Sequence, residues 1–148
     1  MIQSETAVGR FFEVYSRASN EDNISPLLSY FADPFLSAGP HGAQCVSAAE
    51  FAVVLPKRKQ LFERLGAKPA SLVSLEETQL EARYVLARTR WRIEFVREDL
   101  EPSELLLDST FLVDTGGDRF RIVMYLPHQD VMQVLKERGI LKDSKLIG

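Results

Sequence analysis

The side chains in this sequence that could do chemistry are few and far apart. His41 lies in Gly39-Pro40-His41-Gly42, and an imidazole there could exchange protons near neutral pH, with the phenol of Tyr15 as its partner. The plain alternative is an exposed loop histidine. His128 has no partner in view, and the single cysteine, Cys45, would be a nucleophile only beside an activating base; otherwise it reads as a small half-buried thiol. The two histidines and one cysteine lack the spacing of metal ligands, so neither a metal nor another cofactor is expected. Thr115-Gly116-Gly117-Asp118 reads as a hairpin turn and not as a phosphate-binding loop.

The elements that would position such groups show in the periodicity. Tyr84 to Phe95 alternates strictly, with Val85, Ala87, Thr89, Trp91, Ile93 and Phe95 on one side and Arg88, Arg90, Arg92 and Glu94 on the other. That is a strand with one buried face. Similar signals mark strands at 71–80, 104–114 and 119–126, with a looser connection over 97–103. The inward parity selects Leu105, Leu107, Ser109, Phe111 and Val113, then Phe120, Ile122, Met124 and Leu126. This lining is apolar apart from Thr89, Ser109 and the Trp91 indole N–H. Tyr15, Thr89, Trp91, Ser109, Phe111 and Met124 are therefore the candidate ligand contacts.

Helical periods flank the strands. Val8, Phe11, Phe12 and Tyr15 give an amphipathic helix over 4–19 with Ser4 as its cap. Ser25-Pro26 opens a short second helix, and Asp33-Pro34 ends it before a short edge strand at 34–38. Ser47 and Glu50 form a capping-box pattern that starts a third helix, which Pro56 should kink or split before Gly66. Lys57, Arg58 and Lys59 read as its solvated face, with contact to an anionic ligand as the alternative. A last helix is expected over 128–138, with Ile140 and Leu141 free to pack beyond it. Helices, four strands in antiparallel succession and a closing helix describe an α+β domain.

The order of elements, with the segments AVGRFFEVYSRASNEDNISPLLSYFAD and FLVDTGGDRFRIVMYL, resembles the nuclear transport factor 2-like superfamily over residues 5–138. Ketosteroid isomerases, scytalone dehydratases and polyketide cyclases share that cone. The resemblance implies a cystatin-like cone: a strongly curved antiparallel sheet, three N-terminal helices on its concave face and a C-terminal helix. Residues 1–142 would be one domain and 143–148 a flexible tail. Against the ketosteroid isomerases, Tyr15 matches the tyrosine of the oxyanion hole. The general base is replaced by Gly39 before Pro40, and the partner acid by Ser109. Isomerase chemistry of that kind is not expected.

Composition narrows the partners. A net charge of -3 gives no general attraction for nucleic acid, no apolar run is long enough to span a bilayer, and one cysteine excludes an internal disulfide, so a cytoplasmic setting is expected. Three readings remain open. The first is a pocket protein for an apolar or aromatic small molecule. The second is a non-catalytic dimerisation or partner-binding module with a filled cone, and the third an isomerase, dehydratase or cyclase with a site centred on His41. The charged outer face carries Arg88, Arg90, Arg92, Arg119 and Arg121 beside acids, interleaved with Leu86, Leu106, Leu112, Val123 and Tyr125. A homodimer through that face is expected, with Arg90 and Arg92 near its interface.

Overall fold

The computed structural model describes residues 6–142; the Ser4 cap and the 143–148 tail lie outside them. Helix α1, Ala7–Ser19, is capped by Thr6, whose Oγ1 accepts from the Gly9 N–H at 2.9 Å. The same hydroxyl donates to Glu77. Phe12 and Val8 on its inner face are buried.

The second helix is a 3-10 helix, Ser25–Tyr30, and not an α-helix. Six residues opened by Ser-Pro are too few for a run of i→i−4 bonds. Strand β1, Phe31–Gly39, follows at once and turns at Gly42 (φ 126°) into β2, Gly42–Val46. β1 is therefore not the edge, because β2 covers it on one side and β6 on the other. β2 itself is exposed except at Val46, and Cys45 on it is an exposed thiol, not a half-buried one.

Helix α2, Ala48–Arg64, starts on the expected capping box, with Ser47 and Glu50 exchanging side-chain to backbone bonds of 3.0 and 3.1 Å. It runs through Pro56 as one helix. The carbonyl that Pro56 leaves unpaired, that of Ala52, belongs to an exposed turn where water can serve it. At its end Gly66 adopts φ +92°, and a side chain there would meet the Val96 carbonyl oxygen at 2.5 Å.

The sheet has six strands in the order β2-β1-β6-β5-β4-β3, where β3 is Ser71–Gln79, β4 Tyr84–Arg97, β5 Leu100–Asp114 and β6 Arg121–Pro127. All neighbours are antiparallel except β1 and β6, which run parallel. β5 starts earlier than expected, since the chain turns tightly after Arg97 and Pro102 falls where the β4–β5 register shifts. The parity of β4 is as read: Val85, Ala87, Thr89, Trp91, Ile93 and Phe95 are all buried.

β6 departs from strict alternation. Val113 pairs with Ile122 but Leu112 pairs with Met124, so the bulge at Val123 adds one residue. Beyond it Tyr125 lies opposite inward Phe111, and Met124 shares the outer face with Leu112. Met124, expected to line the pocket, therefore points away from it. Tyr125, expected outside, points in.

Helix α3, Val131–Glu137, is shorter than the expected 128–138 because Asp130 caps it. Ile140 and Leu141 pack behind it with Leu65, Phe95 and Leu105 in one core cluster; a second gathers Phe12, Phe31, Phe35, Phe111 and Ile122. Among the described residues no helix is long and apolar enough to cross a membrane.

Candidate functional site

Between the concave face of the sheet and helices α1 and α2 lies a cavity of about 610 Å³. Trp91, Ile93, Ser109 and Phe111 form its sheet wall, with Tyr125 reaching it through the bulge of β6. The facing wall comes from α2. Phe51, Leu55, Arg58 and Phe62 step by four, three and four residues, which places them on one stripe of the helix, and all four border the cavity. That spacing sets the exposed Arg58 side chain in line with the apolar stripe, at the border of the cavity.

Tyr15 is the aromatic centre. Its ring lies 5.9 Å from Trp91, 5.7 Å from Phe111 and 6.1 Å from Phe31. Burial, and then the neighbouring Tyr125 phenol, push its hydroxyl well above the ordinary tyrosine range, while the Arg58 guanidinium draws it back. At neutral pH the Tyr15 hydroxyl therefore keeps its proton and can donate a hydrogen bond. Among the described residues, neither it nor the Tyr125 hydroxyl has a hydrogen-bond partner in the protein.

The polar groups on β4 and β5 behave differently. Thr89 donates to the Ser109 carbonyl at 2.9 Å and accepts from the Trp91 indole N–H at 2.8 Å. Its single proton is thus used, so the 2.9 Å contact between the two hydroxyls is donated by Ser109. Thr89 does not border the cavity. Its role is to hold Trp91 and Ser109, and Ser109 offers a ligand only an acceptor.

His41 is brought to a different place. It borders a smaller cavity of about 270 Å³ that Arg58 and Phe62 also line, and its Nε2 lies 2.6 Å from Asp130 Oδ2. The His41 side chain is 83% exposed. The structure does not unite it with Tyr15, which lines the larger cavity and not the smaller one. Gly39 ends β1, and Ser109 holds the position where the resemblance would require an acid. His128 donates its backbone N–H to Asp108 at 2.9 Å, and its ring lies 2.7 Å from Thr110 Oγ1. Among the described residues no group of three or more His, Cys, Asp and Glu could hold a metal.

Comparison with solved structures identifies the architecture. An NTF-2 like protein of unknown function from Shewanella oneidensis superposes with a TM-score of 0.66 at 14% identity, over 82% of this chain and 96% of that one. A protein from Novosphingobium aromaticivorans described as NTF2-like with a cystatin-like fold gives 0.65 at 12% identity, over 90% and 85%. This chain has the nuclear transport factor 2-like fold. The beta subunit of the benzoate 1,2-dioxygenase of Burkholderia mallei shares this nuclear transport factor 2-like architecture, with a TM-score of 0.63 at 13% identity over 90% of this chain and 96% of that one. No protein-family profile and no curated protein matches the sequence. The likeness therefore speaks for the cone and its curved sheet, and function has to be argued from the site.

Proposed function

We infer that this domain holds an apolar or aromatic small molecule in the space beneath Trp91. The observation that carries the reading is the cavity itself: about 610 Å³ bounded by Trp91, Phe31, Phe51 and Phe111. A cone serving only as a scaffold would fill that volume with side chains, because protein interiors pack densely. Pockets of this size and lining are typical of small-molecule sites. Trp91 is the sole tryptophan, so its emission reports on the wall directly. A broad set of hydrophobic ligands should include some that change that emission and raise the melting temperature. No response in either across the set would end the reading.

A second reading is supported by the outer face of the sheet. Leu106 is 46% exposed there beside Arg92 and Glu104, whose 3.5 Å ion pair leaves both partly exposed. Arg90 and Asp108 form the adjoining pair at 2.8 and 3.2 Å. A face with both charge signs in neighbouring rows can meet a second copy of itself. Beta subunits of ring-hydroxylating dioxygenases share the fold, which is consistent with a domain that works in assemblies. A homodimer is the expected state, and sedimentation showing only monomer at micromolar concentration would remove this reading.

A further inference from the structure

The large cavity is apolar in its walls but not in its donors. Tyr15 and Tyr125 each present a phenol with no partner in the protein among the described residues, and both border the same space as Arg58. Arg58 makes no ion pair with any described carboxylate. Its guanidinium instead lies 5.4 Å from the centre of the Phe62 ring, one turn along the same helix stripe, which limits its orientations before any ligand arrives.

Donor and acceptor inventory decides what such a place accepts. A guanidinium is only a donor, and the two phenols have protons to give. A neutral alcohol or amine can satisfy at most part of that set, whereas an ionised carboxylate is an acceptor at both oxygens and can take Arg58 in a fork. The acids that also border the cavity are mostly engaged. The Glu50 carboxylate holds the Ser47 N–H at 3.0 Å, Glu63 lies 3.9 Å from Lys59, and Asp108 is paired with Arg90. Asp22 stands at the exposed rim.

We propose that the cavity selects organic acids, each a ring-sized apolar body carrying one carboxylate. The body lies against Trp91, Phe31 and Phe111, and the carboxylate is received by Arg58 with the Tyr15 and Tyr125 hydroxyls. This rests on the small-molecule reading above and names the class of molecule that site takes.

The test uses matched pairs that differ only in the polar group. Naphthalene-2-carboxylate and naphthalene-2-methanol make one pair; biphenyl-4-carboxylate and biphenyl-4-methanol make a second. Each is titrated into the full chain by calorimetry, with melting temperature followed in parallel. The acid of at least one pair should bind about tenfold or more tightly than its alcohol. Arg58→Gln should weaken that acid by about tenfold and change the alcohol by less than twofold. Tyr15→Phe and Tyr125→Phe should each weaken the acid severalfold. Arg58 is exposed on α2, so an unchanged circular dichroism spectrum and melting point will certify that variant as folded. Equal binding of acid and alcohol, or equal loss of both in Arg58→Gln, overturns the acid selectivity while leaving the pocket reading intact. Neither heat nor a thermal shift with any of the four compounds overturns this assignment, and the pocket reading falls with it only if the broad set of hydrophobic ligands is silent too.

Discussion

The Trp91 indole N–H donates to the Thr89 hydroxyl at 2.8 Å, two residues back along the same face of β4. This bond sets the plane of the cavity's sheet wall without any help from a ligand. It also explains why Thr89, which sequence parity makes a ligand contact, is a support instead. Thr89→Val removes the acceptor for two buried donors, the Trp91 N–H and the Ser109 hydroxyl. Unfolding in urea should show a loss of about 2 kcal/mol, the usual scale for buried donors left unsatisfied. Thr89→Ser keeps the oxygen and should retain most of the stability.

The bulge in β6 separates two adjacent residues by face. Tyr125→Ala should weaken the tightest-binding acid by about fivefold or more in calorimetry, through the loss of one donor and one aromatic wall. Met124→Ala, on the opposite face, should leave the affinity within about twofold. The reverse order, with Met124→Ala the more damaging, would mean that β6 keeps strict alternation.

Gly66 carries a backbone conformation that a side chain resists, at the point where α2 gives way to the sheet. Its own carbonyl accepts from the Val96 N–H at 2.9 Å, while an added Cβ would press on the Val96 carbonyl. Gly66→Ala should cost at least about 2 kcal/mol in equilibrium unfolding, from the positive φ and the clash together. Gly42, whose φ is also positive but which has open space around it, should tolerate alanine better.

Asp108 gives a pH dependence with a definite sign. The hydrogen bond from Arg90, and then its charge, hold the Asp108 carboxyl below the ordinary aspartate value of 3.8. A carboxyl lowered on folding contributes its stability fully above that value and loses it as pH falls through the folded pKa. The stability gap between the wild type and Asp108→Asn should therefore be steady from pH 5 to 7 and shrink below about pH 4. Unfolding curves across that range provide the measurement. A gap that widens on acidification would contradict the pairing.

The parts legible in the sequence are those with an undisturbed period. β4 alternates without interruption, and every inward residue from Val85 to Phe95 is buried. The capping box at Ser47 and Glu50 depends on four consecutive residues and is formed as read. Tyr15, Trp91, Ser109 and Phe111 could be placed at the cavity because each belongs to such a regular stretch. The errors arise where one residue breaks a period. Val123 shifts the parity of β6, so Met124 and Tyr125 exchange sides. β2 is not legible in GAQCV because an exposed edge has no buried stripe to show. Arg58 is charged and hides in a basic run, and only its spacing from Leu55 and Phe62 places it at the cavity. Pro56 is the opposite case, a helix breaker by type whose exposed turn absorbs the bond it removes.

Arg58 and Phe62 border the larger cavity and the His41 cavity alike. Both cavities take Arg58 into their lining, so an occupant that reorients Arg58 should change the electric field at the His41 imidazole. His41 is one of only two histidines in the chain. With so few imidazoles in the chain, its ring protons belong to a small set of signals that should respond to an occupant beside Arg58. The loop histidine that looked like a candidate for chemistry becomes a built-in spectroscopic probe of filling, readable by one-dimensional NMR without any label.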